Sequence, residues 1–379
     1  MSKIVVTGGA GFIGSHLIDA LVARGHDVVA FDSLDPAAHP QPPAWPEYAN
    51  PGARYVRGDV LDREALRAVL RGAEVVFHYA AAVGSGISMV QIKRFVENNT
   101  VGTAQLLELL LEPGSTVRKL IVASSMTAMG EGTYLCDRDG IQYPPLRPLA
   151  QLERHQWELL CPVCGRELSP IAMSEVRPLM PVSIYGMSKK DQEEECLLIG
   201  QAYRLPVVAF RYFSVYGPRQ SLTNPYTGVI ARFGTRLMLG MPAIVYEDGR
   251  QLKDVIHVQD VVSANLRAME SDGGDYEVFN LGSGVAISVA RMAELLARRF
   301  PNAPATVFSG QFRAGDARHG WADIGKAQKQ LGWTPAWMPE RGFEDLSAWL
   351  ETLPADTVRA AAQAYENAER AAEAGRGNL

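Results

Sequence analysis

KIVVTGGAGFIG, residues 3–14, decides the fold. Ile4, Val5 and Val6 make a short β-branched run suited to a buried strand, and glycines build the turn that follows. Gly8, Gly11 and Gly14 stand three residues apart, while Gly9, Gly11 and Gly14 also satisfy G-x-G-x-x-G. The next stretch, SHLIDALVARGH, has helical periodicity. Strand, glycine turn and helix in that order form a phosphate cradle. Without Cβ atoms the backbone turns tightly, and a pyrophosphate can reach the N–H groups at the helix N-terminus. Gly8, Gly11, Phe12, Ile13 and Gly14 are therefore expected to hold a dinucleotide. Asp32 ends the next apolar run, VVAFD, eighteen residues after Gly14. A carboxylate there accepts hydrogen bonds from ribose hydroxyls and repels a 2′-phosphate. Ser33 and Leu34 bring no compensating cation, so NAD is expected rather than NADP.

Further along, VVFHYAA, KLIVASS and VVAFRYF alternate with longer segments of helical period such as TAQLLELLLE. That alternation predicts an α/β fold, a doubly wound parallel sheet with helices on both faces. Residues 1–212 and 251–281 are assigned to the cofactor domain. A smaller substrate domain is expected from 213–250 and 282–350, and a helical tail from 351–379. Residues 131–181 read as an insertion, rich in Pro and Arg and without long periodicity. The 47% hydrophobic content is enough for a large core. A net charge of −5 and the lack of any dense Lys/Arg cluster argue against a nucleic-acid partner. No apolar run reaches membrane-spanning length, and the opening residues contain no signal-peptide core, so a cytoplasmic protein without a membrane partner is expected. Four cysteines, unevenly spaced, do not make a disulfide framework.

Tyr185 and Lys189 are four residues apart at the start of a helical segment, which places both on one face. An ammonium and a nicotinium charge near the phenol would favour phenolate and turn Tyr185 into a general base. Ser124 and Ser125 end the fifth predicted strand. With TGGAGFIG, RGDVLD, HYAAAVG, NNTVGT, VASSMTAMG, YGMSK, FRYFSVYGPRQ and DVIHVQDV, the chain resembles extended short-chain dehydrogenase/reductases of the nucleotide-sugar epimerase/dehydratase family. The resemblance implies Tyr185 as acid/base, Lys189 as its partner and ribose ligand, and Ser125 on the reacting hydroxyl. It also implies cofactor contacts at Ser33, Asp59, Val60, Ala80, Ala81, Ala82 and Ser124, support from Asn99, and a homodimer.

Dehydratases of this family carry two acids where Met126 and Thr127 follow Ser125 here, and decarboxylating relatives carry a glutamate at the Thr127 position. Neither residue can do that proton chemistry, which leaves Ser125 and Thr127 to serve oxidation and hydride return at one sugar carbon. GDARHGWADI, TNPYTGV and the insertion resemble the bacterial group that epimerises dTDP-L-rhamnose at C4 to dTDP-6-deoxy-L-talose, with NAD retained through turnover. Met129 and Ser214 depart from the family pattern at positions expected beside the sugar. Substrate contacts are implied at Ser214, Arg219, Asn224, Val229, Lys253, Arg313 and Arg318, with Lys253 and Arg313 the better matches for the diphosphate. An NADPH-dependent keto-sugar reductase and a non-catalytic NAD sensor are the alternatives.

CPVCG, residues 161–165, sits inside the insertion. Two thiols three apart followed by glycine suit a zinc knuckle, because the glycine lets backbone N–H groups approach the thiolates. Cys136, Cys161 and Cys164 supply three ligands of a structural zinc site, and Asp139 or His155 is the candidate fourth. A redox pair and plain reduced thiols are the competing readings. Cys196 is expected in the core.

Overall fold

The apolar runs become neighbouring strands. The protein is seen as a computed structural model that describes residues 1–36, 38–39, 44–222 and 228–376. Strands β1 (Lys3–Thr7), β2 (Asp27–Asp32), β3 (Arg54–Arg57), β4 (Val75–His78) and β5 (Lys119–Ser125) come from the first third of the chain. In the insertion, β6 (Thr133–Cys136), β7 (Gly140–Gln142) and β8 (Ser169–Ile171) pair antiparallel in a separate sheet with β6 central. β9 (Val207–Tyr212) and the strand Glu277–Leu281 complete the main sheet, whose order is Glu277–Leu281, β9, β5, β4, β1, β2, β3. All its pairings are parallel.

Period-two alternation explains why both faces are covered. Val6, Phe77, Ile121 and Phe210 point into one apolar layer, and Val5, Val76, Leu120 and Val207 into the other. The chain runs outward from β1 to β3 and returns to β4 on the other side of β1. This reversal opens a crevice at the carboxyl ends of β1 and β4, where such sheets take their ligands.

Past β9, short strand pairs and the helices Val229–Met238, Val289–Ala297 and Pro339–Glu351 enclose a third apolar cluster built on Tyr216, Phe233, Met292 and Leu346. The tail forms the helix Ala355–Arg376, which packs on Val229–Met238. Among its described side chains Val358, Ala361, Ala362 and Tyr365 are buried, spaced for one helical face. Among the described residues no helix is long and apolar enough to cross a membrane. Val358 is fully buried, so Val358→Asp should lower stability by about 3 kcal/mol, read as a drop in the urea midpoint. An unchanged midpoint would mean that the tail is not part of the folded core.

Candidate active site

The glycine turn carries the features of a pyrophosphate cradle. Gly8 has φ of 69°, and a Cβ on it would lie 2.8 Å from the Ala80 nitrogen. A Cβ on Gly14 would lie 2.4 Å from the Gly8 carbonyl oxygen. Both positions therefore need glycine, and the helix Phe12–Ala23 starts at Gly11 with no side chain capping its N–H groups. At the end of β2, Asp32 accepts hydrogen bonds from the Ala10 amide (3.0 Å) and the Leu34 amide (2.9 Å), which holds its carboxylate against the glycine turn. These features fit NAD. Along the crevice wall, Ala82 is clamped in both directions by buried Asn99, whose Oδ1 accepts from the Ala82 amide at 2.7 Å and whose Nδ2 donates to the Ala82 carbonyl at 3.0 Å. The same Nδ2 also donates to Ser188 at 2.9 Å. Val60 is buried against Gly102, and Asp59 accepts from the Leu61 amide in the loop after β3.

Tyr185 and Lys189 lie in the first two turns of the helix Ile184–Tyr203, which Ser183 caps by accepting from the Gly186 amide at 3.0 Å. A Cβ on Gly186 would lie 2.5 Å from the Thr127 carbonyl oxygen. Its absence lets the helix press on the turn after β5 and brings the Tyr185 phenol near enough to the Ser125 hydroxyl for that hydroxyl to favour the phenolate. Ser125 Oγ in turn accepts from the Thr127 hydroxyl (2.8 Å) and amide (3.2 Å). Lys189 Nζ donates to the Ala123 carbonyl at 2.8 Å, and Ser124 donates to Glu193 at 2.7 Å. Glu193 is locked to Arg211 of β9 with its shortest contact at 2.6 Å, so β5, β9 and the helix share one buried ion pair.

Burial sets the electrostatics. It pushes the Tyr185 phenol up to about 12, which the Ser125 hydroxyl only partly offsets, and brings Lys189 down to about 7. With the protein alone, phenolate is therefore not favoured; the expected preference for phenolate includes the nicotinium charge as well as the ammonium. Beneath the site, His78 joins Thr7 (2.8 Å) and Thr103 (2.9 Å), and Gln192 donates to Thr103 at 2.7 Å. Burial, then the nearby Lys189 charge, lower His78 to about 3 and keep it neutral. This chain and the Asn99–Ser188 link were missed in the sequence; polar residues on core-facing positions were the available signal.

The substrate residues separate on inspection. Arg318 corrects the expectation: it is fully buried, and its guanidinium is held by Glu158 (2.5 Å), Glu247 (2.8 Å) and Asp248 (2.8 Å), so it cannot also take a diphosphate. Arg219 likewise faces the cofactor side, paired to Asp19 at 2.7 Å and stacked over Tyr48. Lys253 donates to the Ala317 carbonyl at 2.6 Å, and burial lowers its pKa. Arg313 lies over the Tyr246 ring, and so does Arg232, which the sequence reading passed over. Ser214 opens the short strand Ser214–Tyr216, and Val229 begins the helix Val229–Met238. Asn224 is outside the described residues. Met129 does not line a pocket; it is wholly buried with Met173, Phe213 and Ala322.

In the insertion, ligand atoms of Cys136, Asp139, Cys161 and Cys164 all lie within 4.8 Å of one another. His155 is not among them. Its ring stacks on Trp157 with centroids 5.0 Å apart, which turns it away from the thiols. Cys196 lies on the inner face of the helix Ile184–Tyr203 and is buried in the core.

Comparison with known proteins gives the same picture. The description "NAD dependent epimerase/dehydratase family" matches residues 4–153 and 162–282. A dTDP-L-rhamnose 4-epimerase of Burkholderia thailandensis is 36% identical over 92% of this chain and 94% of its own. A putative UDP-glucose 4-epimerase of Methanocaldococcus jannaschii is 29% identical over 92% of this chain and 98% of its own. Among solved structures, the UDP-glucose 4-epimerase of Thermotoga maritima with UDP-glucose has a TM-score of 0.74 at 29% identity, covering 92% of this chain and 98% of that one. The UDP-glucuronic acid 4-epimerase of Bacillus cereus with UDP-glucuronic acid and NAD has 0.72 at 26%, covering 93% and 100%.

Gly186→Ala should force the helix off the β5 turn, lowering stability by about 1–3 kcal/mol and turnover by about tenfold or more. Calorimetry and steady-state rates would check this; wild-type values for both would show that the close approach is not needed. A second expectation concerns Lys189, whose pKa falls from 10.5 to about 7 on folding. Between those values unfolding takes up a proton, so the cost of burying Lys189 is complete below pH 7 and fades as pH rises toward 10.5. Cofactor-free Lys189→Met should then melt above the parent at about pH 6 and converge with it by about pH 10, while turnover falls by about 100-fold or more. A lower melting point at acid pH would contradict it.

Proposed function

Because the chain belongs to the NAD dependent epimerase/dehydratase family, we propose that it is an NAD-dependent nucleotide-sugar 4-epimerase, an isomerase, with dTDP-L-rhamnose and dTDP-6-deoxy-L-talose as its substrate pair. One observation carries the reading: the Tyr185 phenol meets the Ser125 hydroxyl with Lys189 one turn further on, while the adjoining positions are Met126 and Thr127 rather than carboxylates. NAD bound in the crevice supplies the hydride acceptor and, in the second half of the reaction, the donor. Ser125, fixed by Thr127, orients the sugar hydroxyl, and Tyr185 Oη takes its proton as the C–H bond breaks. Lys189, held at the Ala123 carbonyl, would lie beside that proton path and would serve to hold the nicotinamide ribose. Its charge and the positive nicotinamide offset the burial that raises Tyr185 in the protein alone. Once the 4-keto sugar has turned about its diphosphate link, so that hydride would return to the other face of C4, Tyr185 would give the proton back to the C4 oxygen.

Residues 1–212 with 251–281 carry the cofactor in this reading, and 213–250 with 282–350 the nucleotide sugar. Arg232 and Arg313, converging on Tyr246, are the cations assigned to the diphosphate. The 36% identical Burkholderia protein supports the dTDP-sugar choice. A cytoplasmic homodimer goes with it, supported by Met187 and Leu198, two exposed apolar residues on one side of the helix Ile184–Tyr203. A metal in the insertion is assigned a structural role, because the acid/base and the hydride carrier are already accounted for.

The test is proton NMR of dTDP-L-rhamnose, and of a UDP- and GDP-hexose panel, incubated with the protein in deuterated water without added cofactor. A C4 epimer free of deuterium at C4 is the expected outcome, with dTDP-L-rhamnose the reactive sugar. Deuterium at C4, an elimination product, or turnover only with added NADPH would overturn the assignment.

A further inference from the structure

The geometry points to a tetrahedral zinc site in the insertion, with Cys136, Cys161 and Cys164 as thiolate ligands and the Asp139 carboxylate as the fourth, whose role is to hold the ribbon that clasps Arg318. Metal–sulfur bonds of about 2.3 Å and a metal–oxygen bond of about 2.0 Å give a tetrahedron with edges of about 3.8 Å between sulfurs and about 3.5 Å from sulfur to oxygen. The protein places Cys136 Sγ 3.5 Å from Cys164 Sγ, and Asp139 Oδ2 3.5 Å from Cys136 Sγ and 3.2 Å from Cys161 Sγ. All four ligand atoms are thus already near the corners of the coordination polyhedron, and the four cysteines of the chain are free.

The backbone around CPVCG is shaped as a ligand turn. Gly165 has φ of 73°, its amide donates to the Cys161 carbonyl at 2.9 Å, and the Cys161 amide donates to the Arg166 carbonyl at 2.7 Å. Arg166 also pairs with Asp137 at 2.8 Å, and Arg138 lies 3.9 Å from Asp139, so cations border the anionic group. A thioredoxin-type pair needs its first cysteine at a helix N-terminus. Cys161 instead follows an isolated bridge between Leu160 and Glu167, in a ribbon without helix at that point.

The ribbon needs the ion because its own core is small. Apart from cysteines it consists of Tyr134, Leu159 and Leu168, too few to order about fifty residues. Yet the ribbon must be rigid, since it supplies half of a buried charge cluster. Arg147 pairs with Glu247 at 2.8 Å, Glu158 pairs with Arg318 at 2.5 Å and His319 at 2.8 Å, and Glu131 accepts from the Arg318 amide at 3.0 Å. Arg147, Glu158 and Glu131 lie in the insertion; their partners Glu247, Arg318 and His319 lie outside it, in the segments that also carry Arg313. Loosening the ribbon would take Glu158 from Arg318 and Arg147 from Glu247, leaving a buried cluster with only part of its charge compensated.

Elemental analysis of the full-length protein, purified without affinity metals and dialysed, should give about one zinc per chain, released in full when the thiols are titrated with a mercurial. Asp139→Ala should weaken zinc retention about 10- to 100-fold against a chromophoric chelator, and His155→Ala should leave it unchanged. Stripping zinc from the wild-type protein should speed tryptic cleavage after Arg138, Arg154 or Arg166 about tenfold, with the rest of the chain protected. Metal-free protein with freely titrating thiols, a Cys161–Cys164 disulfide, iron in place of zinc, or a His155→Ala variant that loses the metal would each overturn the assignment. Metal content and proteolysis are read without substrate, so they stand apart from the epimerase reading.

Discussion

The contact on which the site depends is between the long helix and the end of β5. At Gly186 the helix comes closer to the Thr127 carbonyl than any side chain would allow. That approach places the Tyr185 phenol on Ser125 and Lys189 under the Ala123 carbonyl. Packing alone would leave the helix free to slide by a fraction of a turn. Directional bonds prevent this: Glu193 accepts from Ser124 on β5 and from Arg211 on β9, and Asn99 ties Ser188 to the crevice wall at Ala82. A buried ion pair is a poor source of net stability, because desolvation offsets most of its attraction. Its value here is positional, since it permits only one register of helix against sheet.

The same burial creates an electrostatic imbalance. Tyr185 is raised to about 12 and Lys189 is lowered to about 7, so the protein alone disfavours both charged forms. Neutral His78 below adds no proton donor of its own. A cationic ring stacked in the crevice would lower the pKa of both groups, favouring phenolate and at the same time disfavouring a second positive charge on Lys189. The proton-transfer pair is thus incomplete until the cofactor is in place. This accounts for a site whose groups are well ordered and yet not poised in its absence.

The sequence made local geometry legible and long-range partnership illegible. Gly8, Gly11 and Gly14 could be read because each turn residue faces a constraint within a few positions, and Tyr185 with Lys189 because helical spacing alone puts them on one face. The alternating strands of the parallel sheet were equally readable. Arg318 was not, because its partners Glu158, Glu247 and Asp248 lie far away in the chain and only folding brings them to it. An arginine near a substrate lobe looks the same in sequence whether it meets a phosphate or three carboxylates. Arg232 was hidden for the converse reason: it sits in a helix with an apolar face and reaches Tyr246 only across the lobe. The cysteine spacing pointed to three members of the Cys136, Asp139, Cys161 and Cys164 cluster, but the choice between Asp139 and His155 needed coordinates, since both fall at acceptable separations along the chain.

The insertion then acquires a physical rationale. Leaving the main chain between Ser125 and the helix of Tyr185, it departs from one side of the reacting centre and returns to the other. A loose excursion there would transmit its motion to both catalytic elements. Two devices oppose this. The ribbon is tied at its far end by the Cys136, Asp139, Cys161 and Cys164 group, and at its near end by carboxylates and guanidiniums shared with the second lobe. Its last strand passes directly into the floor of the site, where the Met173 amide donates to the Trp321 carbonyl at 2.8 Å and Asn280 donates to the Met173 carbonyl at 2.8 Å. Arg177 continues the tether by donating to the Glu131 carbonyl at 2.6 Å, closing the insertion on itself just before the helix begins. A segment anchored at tip, middle and base moves as part of the lobe it touches, so the insertion extends the rigid frame around the crevice instead of adding a flexible loop to it.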